Sequence, residues 1–350
     1  MLRRLIAVIR RISNSWAFLV WSALLVSGML FLRVYLTAPR TQGPVLVQPS
    51  FQSGIVSLRQ TDTQRRWRKY SFRQEGVLLS GLLKKPILVE VDPDGNAYVL
   101  DLDDCRIRVS ARSGKLLAQI GAGRGSIEGA FVSPTGLALG ADRHVWICDP
   151  VTEKVAEFLP DGKLLREFKP RTKPFKLAVL ANRVLIMAVP MRSYLFELYA
   201  TDGTWQRSFG KWIDHQDSLG ICLDGMITQS PSHGFVYAGV AAGLLAAYSG
   251  DGEAVFARQT VLPLGLPPVL RENGCQRRQP GRPRAATGVG TSNDGILVVK
   301  DRTVDAYRPS DGTYQWSFGL PSTCGAVAFH EDLVYCVTAN RVEIWRRASL

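Results

Sequence analysis

The stretch "DGKLLREFK", residues 161–169, decides the fold because the chain writes it repeatedly: "SGKLLAQIG" at 113–121, "DGTWQRSFG" at 202–210 and "DGTYQWSFG" at 311–319. Each copy follows a short alternating run: "RIRVSA" (106–111), "KVAEFLP" (154–160), "LFELYAT" (195–201) and "TVDAYRPS" (303–310). A fifth run, "LLAAYSG" (244–250), leads to Gly252. Ser-Gly and Asp-Gly pairs accept the positive φ of a tight hairpin turn, so run, turn and phrase read as two antiparallel strands. A third strand precedes each hairpin ("NAYVLD", "HVWICD", "RVLIMA", "FVYAGV", "GILVVK"), and a fourth precedes that, as in "PILVEVD" and "TGLALGAD".

The turn glycines, Gly114, Gly162, Gly203, Gly252 and Gly312, are spaced by 48, 41, 49 and 60 residues. Four strands repeating at such a period specify a β-propeller. A sixth unit starts at "GAVAFHEDLVYCVTANRVEIWRR" (325–347) and lacks its outermost strand. The segment "DTQRRWRKYSF" (62–72) has the aromatic spacing of the repeated phrase, so it is expected to be donated to that unit, closing the ring and hiding its edge. The expected fold is all-β, a six-bladed propeller over residues 51–350.

The passage "GAGRGSIEGAFVSPTGLALGADRHVWICDPVTEKVAEFLPDGKLLREF" resembles the NHL repeat: a Gly-rich lead, "F..P.G.A", a hydrophobic strand ending in Asp149, and Lys154 before the next strand. "PDGNAYVLDLDDCRIRVSARSGKLLAQIG" is a second match, with Asp101 and Arg106 in the corresponding places, whereas units three to six keep the strands and lose the signature. The motif covers residues 84–170 and the architecture 50–347. Propellers of this family include protein- and RNA-binding domains, extracytoplasmic sensors and a few enzymes, so the resemblance implies a fold more than an activity.

Composition excludes a disordered chain: 46% of residues are apolar, 21% charged, and there are eight Trp. Six of the net +13 charges are arginines within the first 40 residues, which hold no acid, leaving +7 for the rest. Between Arg11 and Arg33 lies "ISNSWAFLVWSALLVSGMLFL", 21 residues without a charge, long enough to cross a bilayer as a helix. Four arginines precede it, which places the N-terminus in the cytoplasm and the bulk of the chain across the plasma membrane, periplasmic or extracellular. Residues 1–33 are therefore read as a cytoplasmic stub and signal-anchor helix, and residues 34–50 as a linker. "YLTA", ending at Ala38, is a poor cleavage site because Leu36 stands where a small residue is wanted. The six cysteines show no zinc spacing; Cys324 and Cys336 flank the turn "HEDL" and are the one pair placed to form a disulfide in an exported body.

Local motifs argue weakly for chemistry. "GAGRGS" (121–126) follows a strand but opens no helix, so it lacks the helix N-terminus of a phosphate site and reads as an inter-blade connection. "DPDGN" (92–96) has Asp103 where a calcium loop needs its twelfth-position Glu, and reads as a turn. The histidines His144, His215, His233 and His330 lie outside metal spacing of one another. If the chain is an enzyme, Glu90, Asp142, Asn182 and Asp224, from different units, are the residues that could meet on the axis around one divalent cation such as calcium, as in lactonase-like six-bladed enzymes. No nucleophile elbow or Ser/His/Asp order is present.

The basic stretches "QRRWRK" (64–69) and "KPRTKPFK" (169–176) read as solvated edges and connections. The segment 262–290 explains the 60-residue spacing, its prolines and glycines argue against a continuous strand, and Arg277, Arg278, Arg282 and Arg284 make it a candidate partner-facing or lipid-headgroup-facing loop whose removal should spare folding. The expected function is a membrane-anchored scaffold or accessory subunit that binds a protein partner, with no cofactor and no nucleic acid. The alternative is a hydrolase or lyase of the lactonase or strictosidine-synthase type.

Overall fold

A computed structural model describes residues 29, 45–52, 60, 64–188, 192–230, 232, 234–261, 263–272, 275–279 and 281–349. The chain divides into two compact units, residues 1–45 with 272–274 and residues 46–271 with 275–350. Of the first unit only Met29, Val45 and Glu272 are described, so the expected signal-anchor helix lies outside the described residues. Among the described residues no helix is long and apolar enough to cross a membrane.

Among the described residues the second unit contains six four-stranded antiparallel sheets, beside a three-stranded and a two-stranded one. In the second, Gly136–Leu139, Val145–Asp149, Lys154–Phe158 and Leu164–Phe168 follow one another from inside to outside. The innermost strands of the six sheets are Pro86–Val91, Gly136–Leu139, Pro174–Leu180, Gly225–Gln229, Gly288–Ser292 and Ala326–His330, and each touches the next, the last returning to the first. A ring of sheets closed in this way is a β-propeller. The second strands are buried end to end, as in Ala97–Asp101 and Val145–Asp149, whereas outer strands such as Leu116–Ile120 are largely exposed. Each sheet packs face to face with two neighbours, so the middle strands have no solvent face and read as apolar runs. Leu100, Ile107 and Ile120 of the first blade interleave with Phe131, Val145 and Phe158 of the second. Leu78, Val99, Tyr335 and Ile344 do the same where the last blade meets the first.

The repeated phrase has a packing cause. All five turn glycines adopt the left-handed φ the turn demands, from 68° at Gly312 to 95° at Gly162. A Cβ on Gly203 would lie 2.7 Å from the ring of Phe168, one on Gly252 2.6 Å from Phe209, and one on Gly312 2.4 Å from Phe256. At these three turns the glycine that opens one phrase thus seats an aromatic from the outer strand of the preceding blade.

Asp101 and Asp149 also do structural work. Asp101 accepts backbone N–H bonds from Lys84 (2.7 Å) and Lys85 (2.9 Å), and Asp149 from Val132 (2.6 Å), Ser133 (3.0 Å) and Val151 (2.7 Å), so each carboxylate ties the entering connection to its blade. Lys154 completes the second site through Glu167 (2.7 Å) and the Phe131 ring. Asp92 likewise serves its own turn, accepting from the N–H groups of Asp94 and Asn96.

Two expectations are corrected. The strand donated to the sixth blade is Tyr70–Leu78, paired with Val342–Ser349, rather than 62–72. Tyr70 and Phe72 can be buried against Phe318, whereas the arginine-rich residues before them cannot be sandwiched between blades. Arg66 and Arg68 instead run along the outer strand of the fifth blade, exchanging backbone hydrogen bonds of 2.8 Å with Ser317. The segment 262–290 is not dispensable: Gly288–Ser292 is the innermost strand of the fifth blade, Leu266 and Val269 belong to the largest core cluster, and Val269–Glu272 and Cys275–Arg278 are strands. Cys324 and Cys336 are joined by a disulfide.

Candidate functional site: the central channel and its mouths

The innermost strands line a channel. One cavity of about 180 Å³ is lined by the later halves of these strands, including Val91, Leu139, Gln229, Thr291 and Phe329, and a smaller one of about 40 Å³ by their beginnings, including Gly136, Lys176, Met226 and Ala326. Gln229 reaches across the lumen, its amide donating to the carbonyl oxygens of Leu139 (3.1 Å) and Val179. With few charged groups in these walls, a charge placed here is expensive unless something pairs it.

Glu90 lines both cavities. Its side chain is half-buried at the lumen; desolvation pushes its carboxyl up to about 7, and no neighbouring charge offsets the shift. Lys176 is the opposite case. Burial lowers its ammonium below the ordinary range, and its Nζ donates to the carbonyl oxygen of Thr135 at 2.7 Å. In the sequence its run, 169–176, reads as a solvated edge or connection. The signal that distinguishes it is position, since it falls inside the strand Pro174–Leu180 while Lys169 and Lys173 precede that strand and pair with Glu153.

The four residues proposed to meet on the axis do not converge. Asp224 stands before the innermost strand Gly225–Gln229, in the mouth shared with Lys176 and Arg278, whose guanidinium is 3.4 Å away; burial raises its carboxyl and those two cations oppose the rise. Asn182 follows its innermost strand and lines a separate cavity of about 400 Å³ with Ser230 at the opposite mouth. Five strand residues separate the two ends, roughly 16 Å. Asp142 also lies past the end of its strand and turns away from the axis: its Oδ2 is 3.1 Å from Nδ1 of His144, which is 2.7 Å from Oε1 of Glu157. The registry Val145 opposite Phe158 brings His144 and Glu157 to one end of a hairpin, a pairing invisible without knowing the register. His233 is outside the described residues.

The mouth that holds Asp224 also carries the basic segment. Arg278, Arg282 and Arg284 surround a cavity of about 250 Å³ with Val240 and Pro267. Arg282 and Arg284 are exposed, and Arg277 is exposed on the adjoining strand Cys275–Arg278.

No protein-family model matches the chain, and no curated protein matches it in sequence. Solved structures do match in shape. A streptogramin B lyase superposes with a TM-score of 0.53 at 10% identity over 81% of this chain and 100% of its own. U3-55K gives 0.51 at 13% over 79% and 98%, and the Myceliophteria thermophila Cps50 (Swd1) β-propeller domain 0.50 at 12% over 79% and 99%. At such identity the likeness establishes the β-propeller fold alone.

Proposed function

We propose that the chain is a membrane-anchored, extracytoplasmic six-bladed propeller of NHL type that acts as a scaffold, binding a protein partner with an acidic surface through the channel mouth that carries Arg277, Arg278, Arg282 and Arg284. The observation that carries the reading is the clustering of three of these arginines around one cavity beside Asp224. Exposed guanidinium groups of this kind recognise carboxylates bidentately and steer association. The 21-residue apolar run and the Cys324–Cys336 disulfide support an exported, anchored body.

The dispersal of Glu90, Asp142, Asn182 and Asp224 argues against a channel-centred hydrolase or lyase with a calcium-like ion. The test is a mild-detergent pull-down of the full-length protein from its native membrane, beside the triple variant Arg277→Glu, Arg282→Glu, Arg284→Glu. A stoichiometric partner lost on charge reversal supports the scaffold. A protein isolated alone, carrying an ion that Glu90→Ala removes, would instead establish the enzyme.

A further inference from the structure

The cluster that draws Asp142 from the axis is chemically distinct from the channel. Asp142 lies in the turn before Val145–Asp149, His144 immediately precedes that strand, and Glu157 sits in the paired strand Lys154–Phe158. One ligand atom from each, a carboxylate oxygen, Nδ1 and a carboxylate oxygen, lies within 4.8 Å of the others. The turn is shaped to hold them. Gly140 leaves the space in which a Cβ would come 2.3 Å from Oδ1 of Asp142, and Arg143 takes a left-handed φ of 66° while its guanidinium turns out to Asp94.

A single Nδ1–H cannot satisfy two carboxylates equally, yet both approach it, at 2.7 and 3.1 Å. Glu157 is 4% exposed, and its Oε2 accepts no aligned hydrogen bond, although Arg166 lies 2.7 Å from it in ionic contact. Arg166 thus balances one of the two carboxylates. Ligands on a tetrahedral ion at about 2.0 Å stand about 3.3 Å apart, so binding one would open the 2.7 Å Nδ1–Oε1 pair and draw the carboxylate oxygens, now within 4.8 Å, together by up to about 1.5 Å. An imidazole donor favours a borderline ion of the zinc class over calcium, which takes oxygen ligands.

We propose that Asp142, His144 and Glu157 form a divalent transition-metal site on the rim of the second blade, with Arg166 orienting Glu157 and one coordination position open to solvent beside the exposed Asp142. The site is independent of the scaffold reading. The test uses the full-length, untagged protein in detergent, stripped with EDTA and titrated with Co²⁺, followed by its visible absorption, and with Zn²⁺ by calorimetry. One equivalent is expected, with affinity reduced on the order of tenfold or more by His144→Ala and by Asp142→Asn. Cooperative melting of both variants in EDTA, with His144→Ala shifted down by the loss of Glu157's partner, separates lost ligation from lost folding. Failure to bind one equivalent below millimolar metal, or binding that both variants leave intact, would overturn the proposal.

Discussion

Arg65 and Asp305 form a two-point ion pair across 240 residues, with Nε 2.7 Å from Oδ1 and the second guanidinium nitrogen 2.8 Å from Oδ2. Asp305 is 4% exposed and sits in the third strand of the fifth blade, where it also accepts from Ser317. The pair clamps the segment leading to the closing strand onto the outside of the ring. Gln60 acts in the same way between the fourth and fifth blades, donating to the carbonyl oxygens of Gln259 and Gly312.

Arg65→Ala leaves a buried carboxylate without its counter-ion and should destabilise the propeller by about 3 kcal/mol. The double variant Arg65→Ala, Asp305→Asn should recover part of that loss. Denaturant midpoints measure both, and equal stability of Arg65→Ala and the parent would show that the clamp contributes nothing.

Gly203→Ala tests the packing origin of the repeat. At a φ of 91° an L-residue is strained, and the new Cβ meets the Phe168 ring at 2.7 Å. A loss of roughly 2 kcal/mol or more is expected. Gly281, whose φ is 78° but whose Cβ would meet nothing within 4 Å, is the control for backbone strain alone and should cost less when changed to Ala.

Glu90 makes stability depend on pH. Its folded carboxyl is raised by desolvation from 4.5 to about 7. Below the unfolded value both states hold the proton and nothing is lost; as pH rises from 4.5 through 7 the unfolded chain gives up the proton that the folded one keeps, so stability falls and then levels off. The full penalty is at most about 3 kcal/mol, less to the degree that water in the channel solvates the carboxylate. Glu90→Gln should therefore match the parent near pH 4 and exceed it at pH 8.5 in thermal melts. Parallel pH profiles would mean that Glu90 is solvated as in water.

The disulfide between Cys324 and Cys336 closes a short loop, with a sequence separation of 12. Chain-entropy arguments give about 3 kcal/mol for a loop of this size. Reduction, or the double change to Ala, should lower the denaturant midpoint accordingly. The buried Cys105, Cys148 and Cys222 should stay unreactive toward a thiol probe in the folded protein, while the exposed Cys275 reacts.

Read alone, the chain's local chemistry determined a great deal. Asp-Gly turns, alternating strands and a period near 48 residues specify four-stranded units, because φ > 0 at a turn and burial of both faces of a strand leave marks within a few residues of sequence. The same locality located the hairpins at Gly114, Gly162, Gly203, Gly252 and Gly312 and brought Cys324 near Cys336. The tertiary structure decided what depends on register and on direction through the ring. It selected Tyr70–Leu78 over the more basic residues ahead of it as the closing strand, because only its aromatics could be buried against Phe318. It put Asp224 and Asn182 at opposite mouths, since one precedes and the other follows an innermost strand, and it turned Asp142 toward His144 and Glu157. A carboxylate's chemistry is set by which end of a strand it occupies and by what the next strand places beside it, and neither is written in the spacing of acids along the chain.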